Sequence, residues 1–384
     1  MTILPCHRAA TGRALSQPRV NAVPDVNARP ITAADAADPA RLAGYTTLRL
    51  GGAPRRLVTA TRTDEIPAKL REAELRDEPV LVLAGGSNVV VADEGFPGTV
   101  LLVRSRGFEV VAEDEAAVTI RVAAGEPWDD LVAATVEAGW SGVECLSGIP
   151  GSAGATPIQN VGAYGQEVAE TVTGVEAYDR LTGEVTRMSA AECAFGYRSS
   201  VFKYNDRWTV LTVDFRLLRS TLSAPVRYAE LARALGVQVG DRVPLADARA
   251  AVRALRAGKG MVLDPTDPDT RSVGSFFTNP VLDAEAYQAL RERAAGLGEP
   301  PSWPGAGGTV KVSAAWLIDK SGYPKGYQGP GGVAISSKHT LALTNRDGGS
   351  TDALLALARE IRDGVHDRFG ATLHPEPVLV NCAL

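Results

Sequence analysis

The sequence predicts an α+β protein in which strands come first and helices become frequent later in the chain. Three observations predict it: apolar runs that end in glycine turns, alternating runs in the middle of the chain, and helical stripes toward its end. The 384 residues are enough for two or three domains of about 150 residues each. Such a chain buries enough apolar surface to fold without disulfides or metal ions.

Strands are predicted where apolar or alternating residues lead to a turn. Residues 80–84 are apolar throughout and 99–103 are apolar after Thr99, which is typical of buried strands, whereas 118–122 alternates and leads to Gly125. The run 173–188 predicts a hairpin that turns at Thr182 and Gly183. Residues 208–217 alternate apolar and polar side chains, which predicts a half-buried strand.

Helices are predicted where apolar residues recur every three or four positions. Residues 128–138 form one such face and end at Gly139, and helices are also expected over 245–257 and 284–295. A long helix near the C-terminus is expected to begin at Ser350 or Thr351 and to end at Gly370. Its apolar stripe consists of Leu354, Leu357, Ile361, Val365 and Phe369.

Charge and composition exclude several classes of function. The net charge is −5 and no basic block stands out, so nucleic-acid binding is not expected. No apolar run reaches the roughly 18 residues that a membrane span needs, so membrane insertion is not expected. The four cysteines are scattered, which favours a reducing cytoplasm, and neither they nor the four histidines have the spacing of a metal site. A monomer is expected because no exposed apolar stripe is evident.

The first forty residues differ from the rest. They contain five prolines and many alanines without sustained periodicity, which predicts a mostly disordered extension over 1–40. The apolar start is too short for a signal peptide. A later translation start is the alternative interpretation.

Two glycine-rich segments indicate a ligand site. Gly85-Gly-Ser-Asn88 follows a predicted strand, where consecutive N–H groups can bind an anion, although taken alone a plain tight turn is the more ordinary interpretation. The run 146–167 is too polar for a core element and has too few charges for a solvated linker. Its free backbone groups and its Gln159 and Asn160 amides suit a diphosphate and a polar heterocycle. Its glycine spacing is not that of a dinucleotide-binding fingerprint.

These two segments, with three others, resemble one family of flavoenzymes. The further matches are Phe195-Gly-Tyr-Arg-Ser-Ser-Val-Phe-Lys203, Gly274-Ser-Phe-Phe-Thr-Asn-Pro280 and His374-Pro-Glu376. Together they resemble the UDP-N-acetylenolpyruvoylglucosamine reductases, also called UDP-N-acetylmuramate dehydrogenases. The resemblance covers about residue 45 to the C-terminus, with the motifs in the same order.

The resemblance implies a fold and a division into domains. The fold is a two-part FAD-binding domain of the vanillyl-alcohol-oxidase type followed by a C-terminal α+β substrate-binding domain. The first FAD-binding subdomain is expected over 41–104, completed by 372–384. The second is expected over 105–260 with an inserted tyrosine loop, and the substrate-binding domain over 261–371.

The resemblance also implies a reaction. NADPH reduces a non-covalently bound FAD, and the reduced flavin transfers hydride to the enolpyruvyl double bond of a UDP-sugar, giving UDP-N-acetylmuramate for peptidoglycan. Ser275 is the implied proton donor, and Arg198 and Glu376 are implied to stabilise the enolate. On the sequence alone each has an ordinary alternative: a serine in a turn, a surface arginine and a loop glutamate.

Two further sets of residues are carried over from the resemblance. The implied cofactor-binding residues are Gly85, Gly86, Ser87, Asn88, Gly151, Gly154, Thr156, Gln159, Asn160, Gly162, Ala163, Tyr164 and Gly165. The implied substrate-binding residues are Tyr197, Tyr228, Lys259, Asn279, Lys325 and His339. Tyr228 matches a tyrosine that closes over the substrate in one subtype of the family.

Two departures and two competing functions remain. Ala84 and Thr278 stand where many members of the family have glycine and lysine. The alternative functions are an oxidase of the same fold, often with covalent flavin, and a flavin-binding module without turnover. No histidine lies between His7 and His339, so Cys145 is the nearby residue that could form a covalent link.

Overall fold

The computed structural model describes residues 41–384, and the extension predicted over 1–40 lies outside the described residues. The described chain contains eighteen strands and seven α-helices, with 3-10 turns between them. The strands are β1 (Pro54–Ala60), β2 (Val80–Leu83), β3 (Val89–Val91), β4 (Phe96–Val103), β5 (Phe108–Glu113), β6 (Ala117–Ala123), β7 (Trp140–Ser141), β8 (Gly162–Ala163), β9 (Gln166–Glu167), β10 (Val172–Asp179), β11 (Glu184–Ser189), β12 (Trp208–Arg219), β13 (Val281–Leu282), β14 (Ser302–Pro304), β15 (Val310–Val312), β16 (Val333–Ile335), β17 (Leu343–Asn345) and β18 (Val378–Val380). The helices are α1 (Glu65–Glu74), α2 (Trp128–Glu137), α3 (Ala229–Leu235), α4 (Leu245–Gly258), α5 (Ala284–Arg293), α6 (Ala314–Lys320) and α7 (Thr351–Phe369).

The first part of the fold is a small parallel sheet. Its strand order is β1-β4-β2, and the apolar side chains of β4 are almost entirely buried. The C-terminal strand β18 returns to this region and pairs in parallel with β3, with Val378 opposite Val89. Because β18 begins two residues after Glu376, this pairing brings the Glu376 carboxylate back to the glycine turn between β2 and β3.

The second part is a larger antiparallel sheet. Its main order is β11-β10-β12-β6-β5, and the predicted hairpin is confirmed as the β10–β11 pair. Helix α2 covers one face, where the Trp128 ring lies 5.6 Å from that of Phe215 on β12. The helix predicted over 128–138 is thereby confirmed to within one residue.

The prediction that β12 is half-buried is wrong. Its residues from Thr209 to Phe215 are all buried, polar ones included, because β12 lies between β10 and β6 at the centre of the sheet. The Asp214 carboxylate is covered by arginines of two other strands of the same sheet: Arg121 on β6 binds it at 2.9 Å, and Arg187 on β11 also pairs with it. Long arginine side chains can cover a sheet face in this way while their charged ends stay partly hydrated.

The third part surrounds the long helix α7. The Ser350 side chain accepts a hydrogen bond from the Ala353 N–H at 3.1 Å, and Gly370 ends the helix in the left-handed conformation, as predicted. The predicted apolar stripe is confirmed, since all five of its side chains are at most 1% exposed. They share one core with α6, with the β16–β17 pair and with Phe276 and Phe277. That core holds the segment containing Ser275 in place.

Candidate active site

A cavity of about 840 Å³ lies where the three parts meet. Its wall contains every site residue expected from the sequence except Asn160 and Lys325. The two glycine-rich segments form one side, and the segments that carry Arg198, Ser275 and Glu376 form another. The fold therefore brings five separate segments of the chain to a single space.

The two glycine-rich segments pack directly on each other. A Cβ added to Gly85 would lie only 2.5 Å from the Cα of Gly151, so this contact requires glycine. The Ser87 hydroxyl donates to the Pro150 carbonyl at 2.9 Å, and the Asn88 amide donates to the Gln159 side-chain oxygen at 2.6 Å. The result is a cradle of backbone groups and amides with few bulky side chains.

The departure at Ala84 is compatible with this cradle. Ala84 is not among the residues with positive φ, so an alanine fits its backbone conformation. Its carbonyl accepts a hydrogen bond from the Arg104 guanidinium at 2.8 Å, which holds the end of β2 in place.

Arg198 and Glu376 form an ion pair although 178 positions of sequence separate them. Arg198 Nε lies 3.3 Å from Glu376 Oε1, and Arg198 Nη2 donates to the Gly162 carbonyl at 2.9 Å. Arg198 has a φ of 51°, a left-handed conformation that is uncommon for residues other than glycine and that is enriched at functional sites. The guanidinium thus joins the glycine-rich cradle to the carboxylate.

Burial raises the pKa of Glu376, and the nearby charges of Arg198 and Lys203 oppose that effect. A carboxyl group in this environment binds its proton to higher pH than a solvated glutamate does. It can therefore act both as a partner of Arg198 and as part of a proton network.

Ser275 and Glu376 lie on paired segments. The Glu376 N–H donates to the Phe276 carbonyl at 2.8 Å, and the Thr278 N–H donates to the His374 carbonyl at 3.0 Å. Phe276 and Phe277 are completely or almost completely buried, which fixes this segment in the core. The backbone pairing explains how a serine and a carboxylate about one hundred residues apart reach the same cavity.

A second end of the cavity is cationic. Burial lowers the pKa of His339 to about 4, and the nearby charges of Lys259, Lys325 and Arg256 lower it further in the same direction. His339 is therefore neutral at pH 7. Burial also lowers the pKa of Arg256 to about 10, so this guanidinium keeps its charge.

Two predicted site residues do not reach the cavity wall. Asn160 is buried, and its amide donates to Glu167 at 2.7 Å and to the Gly196 carbonyl at 3.1 Å, so it holds the loop instead of lining the space. Lys325 is not part of the wall, but its charge contributes to the lowered pKa of His339.

The cavity wall also contains polar and aromatic residues that were not expected from the sequence, among them Ser152, Arg256, Trp303 and Lys311. Arg256 lies three positions before Lys259 at the end of α4, and this spacing was the available signal. Lys311 Nζ lies 4.6 Å from the ring centroid of Tyr197, a contact between distant segments that no local pattern indicates. Ser152 Oγ and Arg256 Nε are buried and have no hydrogen-bond partner within residues 41–384.

The lining fits a large cofactor that is both anionic and aromatic. Backbone groups of the glycine-rich cradle and the unpartnered Ser152 and Arg256 atoms suit phosphates, and apolar and aromatic side chains cover the rest. Across the described part of the chain, no group of three or more metal-ligating side chains is arranged to hold a metal ion. Within the same residues, no helix is long and apolar enough to cross a membrane.

Comparison with known proteins identifies two family models along the chain. An FAD binding domain matches residues 54–189, and the C-terminal domain of UDP-N-acetylenolpyruvoylglucosamine reductase matches residues 264–380. These matches confirm the predicted fold class, an FAD-binding domain followed by a C-terminal domain with mixed helices and strands. They also make the chain an FAD-dependent oxidoreductase.

Whole-chain relatives extend these matches. A UDP-N-acetylenolpyruvoylglucosamine reductase of Salinispora arenicola is 71% identical over 345 residues, covering 89% of this chain and 95% of the relative. One of Thermobifida fusca is 57% identical and covers 89% of this chain and 97% of the relative. A crystal structure of the reductase of Thermus caldophilus shares the fold with a TM-score of 0.59 at 23% identity, covering 88% of this chain and 97% of that one. The chain therefore belongs to the UDP-N-acetylenolpyruvoylglucosamine reductase family.

Proposed function

We propose that this chain catalyses the NADPH-dependent reduction of UDP-N-acetylglucosamine enolpyruvate to UDP-N-acetylmuramate, a step in the synthesis of peptidoglycan precursors. The observation that carries the proposal is the meeting of Arg198, Ser275 and Glu376 at one cavity beside the glycine-rich cradle. A reductase of this kind needs a cofactor site, an anion-stabilising group and a proton donor in contact with the same substrate.

The three residues have separate roles in this proposal. Reduction of a double bond next to a carboxylate builds negative charge, which the Arg198 guanidinium stabilises. The Ser275 hydroxyl, held by its buried neighbours Phe276 and Phe277, delivers the proton to the carbon. Glu376 holds Arg198 through their ion pair and completes the proton network.

FAD is proposed to bind non-covalently along the cradle formed by Gly85–Asn88 and by residues 151–165. When bound, it supplies the chemistry of transferring electrons from NADPH to the substrate. The environment of Cys145 argues against a covalent link between this thiol and the flavin. Cys145 is buried and is not part of the cavity wall, and burial raises the pKa of its thiol to about 12. A thiol in that state is a poor nucleophile toward a flavin ring.

The substrate is proposed to occupy the remaining space, with its carboxylate toward Arg198 and its diphosphate toward Lys259. Asn279 and Tyr197 are also part of the cavity wall. The Tyr228 ring meets the Tyr164 ring edge-on at 5.7 Å and is 46% exposed, which fits the subtype of the family with a closing tyrosine. Lys325 acts through its charge on His339.

The finer expectations are part of the same proposal. The domain division at 41–104 with 372–384, 105–260 and 261–371 agrees with the return of β18 to β3 and with a separate core around α7. We further propose that the protein is a cytoplasmic monomer.

Ser275→Ala tests the proposed function. The variant should keep its flavin and should be reduced by NADPH at the wild-type rate, because the serine has no part in that half-reaction. Reoxidation by the enolpyruvyl UDP-sugar should slow by several orders of magnitude, since the proton donor is missing. Both half-reactions can be followed by stopped-flow absorbance of the flavin under anaerobic conditions.

Thr278→Ala is the matched control for this experiment. It removes a hydroxyl three positions away that contacts the His374 carbonyl at 3.4 Å and does not line the cavity. Both half-reactions should keep their wild-type rates in this variant. Unchanged reoxidation of Ser275→Ala by the sugar would remove Ser275 from the mechanism.

A further inference from the structure

Lys259, on the wall at the cationic end of the cavity, is already paired with a carboxylate. Lys259 Nζ donates to Glu230 Oε2 at 2.6 Å, and both side chains are about one third exposed. Arg256 and Lys325 act on His339 from the same end, and Glu230 is the acidic side chain that opposes them there. Three positive charges near a buried site favour the presence of an anion.

Glu230 belongs to the segment that also carries Tyr228. Tyr228 precedes α3 and Glu230 is the second residue of this helix, so both follow any movement of its start. Arg227, which precedes Tyr228, holds the segment in place by an ion pair with Glu170 at 2.7 Å and by a hydrogen bond to the Gly165 carbonyl at 3.2 Å. The segment therefore contacts the glycine-rich cradle and Lys259 at the same time.

Lys259 has a limited capacity for anions. Its ammonium group has three donors, one of which Glu230 occupies, and its Nζ lies 5.6 Å from the Tyr164 ring centroid. A diphosphate that approached the same ammonium would meet the Glu230 carboxylate as a like charge. Like charges at close range repel, so the carboxylate and the diphosphate cannot both bind Lys259 closely without a cost.

We propose that Glu230 holds the Lys259 ammonium in the free enzyme, and that the substrate's diphosphate displaces this carboxylate from Lys259 on binding. The inference rests on the proposed function, in which Lys259 receives the diphosphate of a UDP-sugar. Displacement releases the start of α3 from Lys259 and couples the arrival of the phosphates to movement of the Tyr228 segment. Glu230 is thus a residue that weakens anion binding and makes it dependent on a rearrangement.

Glu230→Gln tests this inference, with UDP as the probe and the FAD-loaded protein in the calorimeter cell. The variant should bind UDP about two- to fivefold more tightly, as expected for removing a competing, partly exposed ion pair. The KM for the enolpyruvyl UDP-sugar should fall by a similar factor. Because Glu230 touches no reacting group, kcat should change less than KM. Inorganic diphosphate should compete with UDP more strongly in the variant than in the wild type.

Asp241→Asn is the matched control, because it removes one negative charge from the same insertion. Asp241 is exposed and caps the Gln238 N–H at 2.9 Å, without contact to Lys259. The Asp241→Asn variant should bind UDP with the affinity of the wild type. This result would separate competition between Glu230 and phosphate at Lys259 from an effect of net charge. Glu230→Asp, which keeps the charge, should also stay close to the wild type.

Two results would overturn the inference, and they are distinguishable. If the wild type binds UDP and reduces the sugar but Glu230→Gln binds UDP equally or more weakly, the carboxylate does not compete with phosphate and the inference alone fails. If the wild-type holoenzyme binds neither UDP nor the sugar, the proposed function fails and the inference fails with it. A thermal unfolding curve of each variant excludes loss of the fold as the cause.

Discussion

The close approach of the two glycine-rich segments predicts that Gly85→Ala damages both the fold and the cofactor site. An added methyl group would lie 2.5 Å from the Gly151 Cα and 3.0 Å from its carbonyl carbon. All of its nearest atoms belong to the backbone, so no side chain can rotate away. The two segments must separate instead, although the Ser87–Pro150 and Asn88–Gln159 hydrogen bonds hold them together.

The size of the effect follows from these distances. Ordinary van der Waals contact begins at 3.4 Å, so the segments must move apart by about 1 Å. Overpacking of this kind costs about 1 to 3 kcal/mol. That energy corresponds to a fall in the thermal midpoint of roughly 2 to 10 °C. If the strain is released only when the cradle opens, affinity for FAD falls roughly five- to hundredfold.

Two measurements on purified protein check this prediction. The ratio of flavin absorbance in the visible range to absorbance by protein reports how much FAD is retained, and a thermal scan with excess FAD reports the midpoint. Gly44→Ala is the control, because a Cβ added there has no atom within 4 Å and its φ is not positive. It should keep full FAD and should be as stable as the wild type or slightly more so.

The reasoning is refuted if Gly85→Ala retains stoichiometric FAD at the wild-type midpoint. That result would mean that the two segments are separated in the protein. The cradle would then not be the site described here.

Three further predictions concern titratable groups, two on the cavity wall and one outside it. Because the pKa of His339 falls from 6.5 to about 4 on folding, only the unfolded chain binds this proton at pH values between the two. The free energy of unfolding therefore decreases as the pH drops through that window, by about 3 kcal/mol at most. Urea unfolding of His339→Gln should show a smaller decrease between pH 7 and pH 4.5 than the wild type does, and an equal decrease would contradict the assignment. Burial raises the pKa of Glu376, so the stabilising contribution of this residue is lost as the pH rises above the ordinary glutamate range. Glu376→Gln should lack that loss of stability in urea titrations from pH 5 to 8 and should reduce the sugar roughly a hundredfold more slowly than the wild type. Wild-type turnover in this variant would remove Glu376 from the proposal. Asp129 binds Arg249 at 2.6 Å, pairs with Arg253 and accepts a hydrogen bond from the Gly148 N–H at 2.6 Å. Asp129→Asn leaves the two half-buried arginines without their carboxylate and should lower the free energy of unfolding by about 3 kcal/mol. A decrease below about 1 kcal/mol in urea unfolding would contradict this prediction.

Local patterns in the sequence predicted the helices and strands whose formation depends on residues close to one another in the sequence. The stripe of α7, its serine cap and its terminal glycine all lie within one stretch of chain, and the structure confirms each of them. The burial of β12 could not be predicted in this way. The polar residue Asp214 is buried because Arg121 on the adjacent strand β6 and Arg187 on β11, two strands away, cover it, and strand order is a property of the whole sheet.

The candidate site shows the same limit more strongly. The glycine-rich segments are visible in the sequence because the composition of each is unusual by itself. The pairing of Arg198 with Glu376 depends on β18 returning to β3, and no spacing between them indicates it. Lys311 was missed for the same reason, since it reaches Tyr197 only through the sheet of β13, β15 and β14. The resemblance of motifs supplied the roles that periodicity could not.

The most direct test of the proposed function is the visible spectrum of the purified protein under anaerobic conditions. The account predicts a flavin spectrum that is bleached by NADPH and then restored by stoichiometric addition of the enolpyruvyl UDP-sugar. Restoration by oxygen but not by the sugar would contradict the assigned substrate and would favour an oxidase. A protein that takes up no FAD would contradict the cofactor site itself.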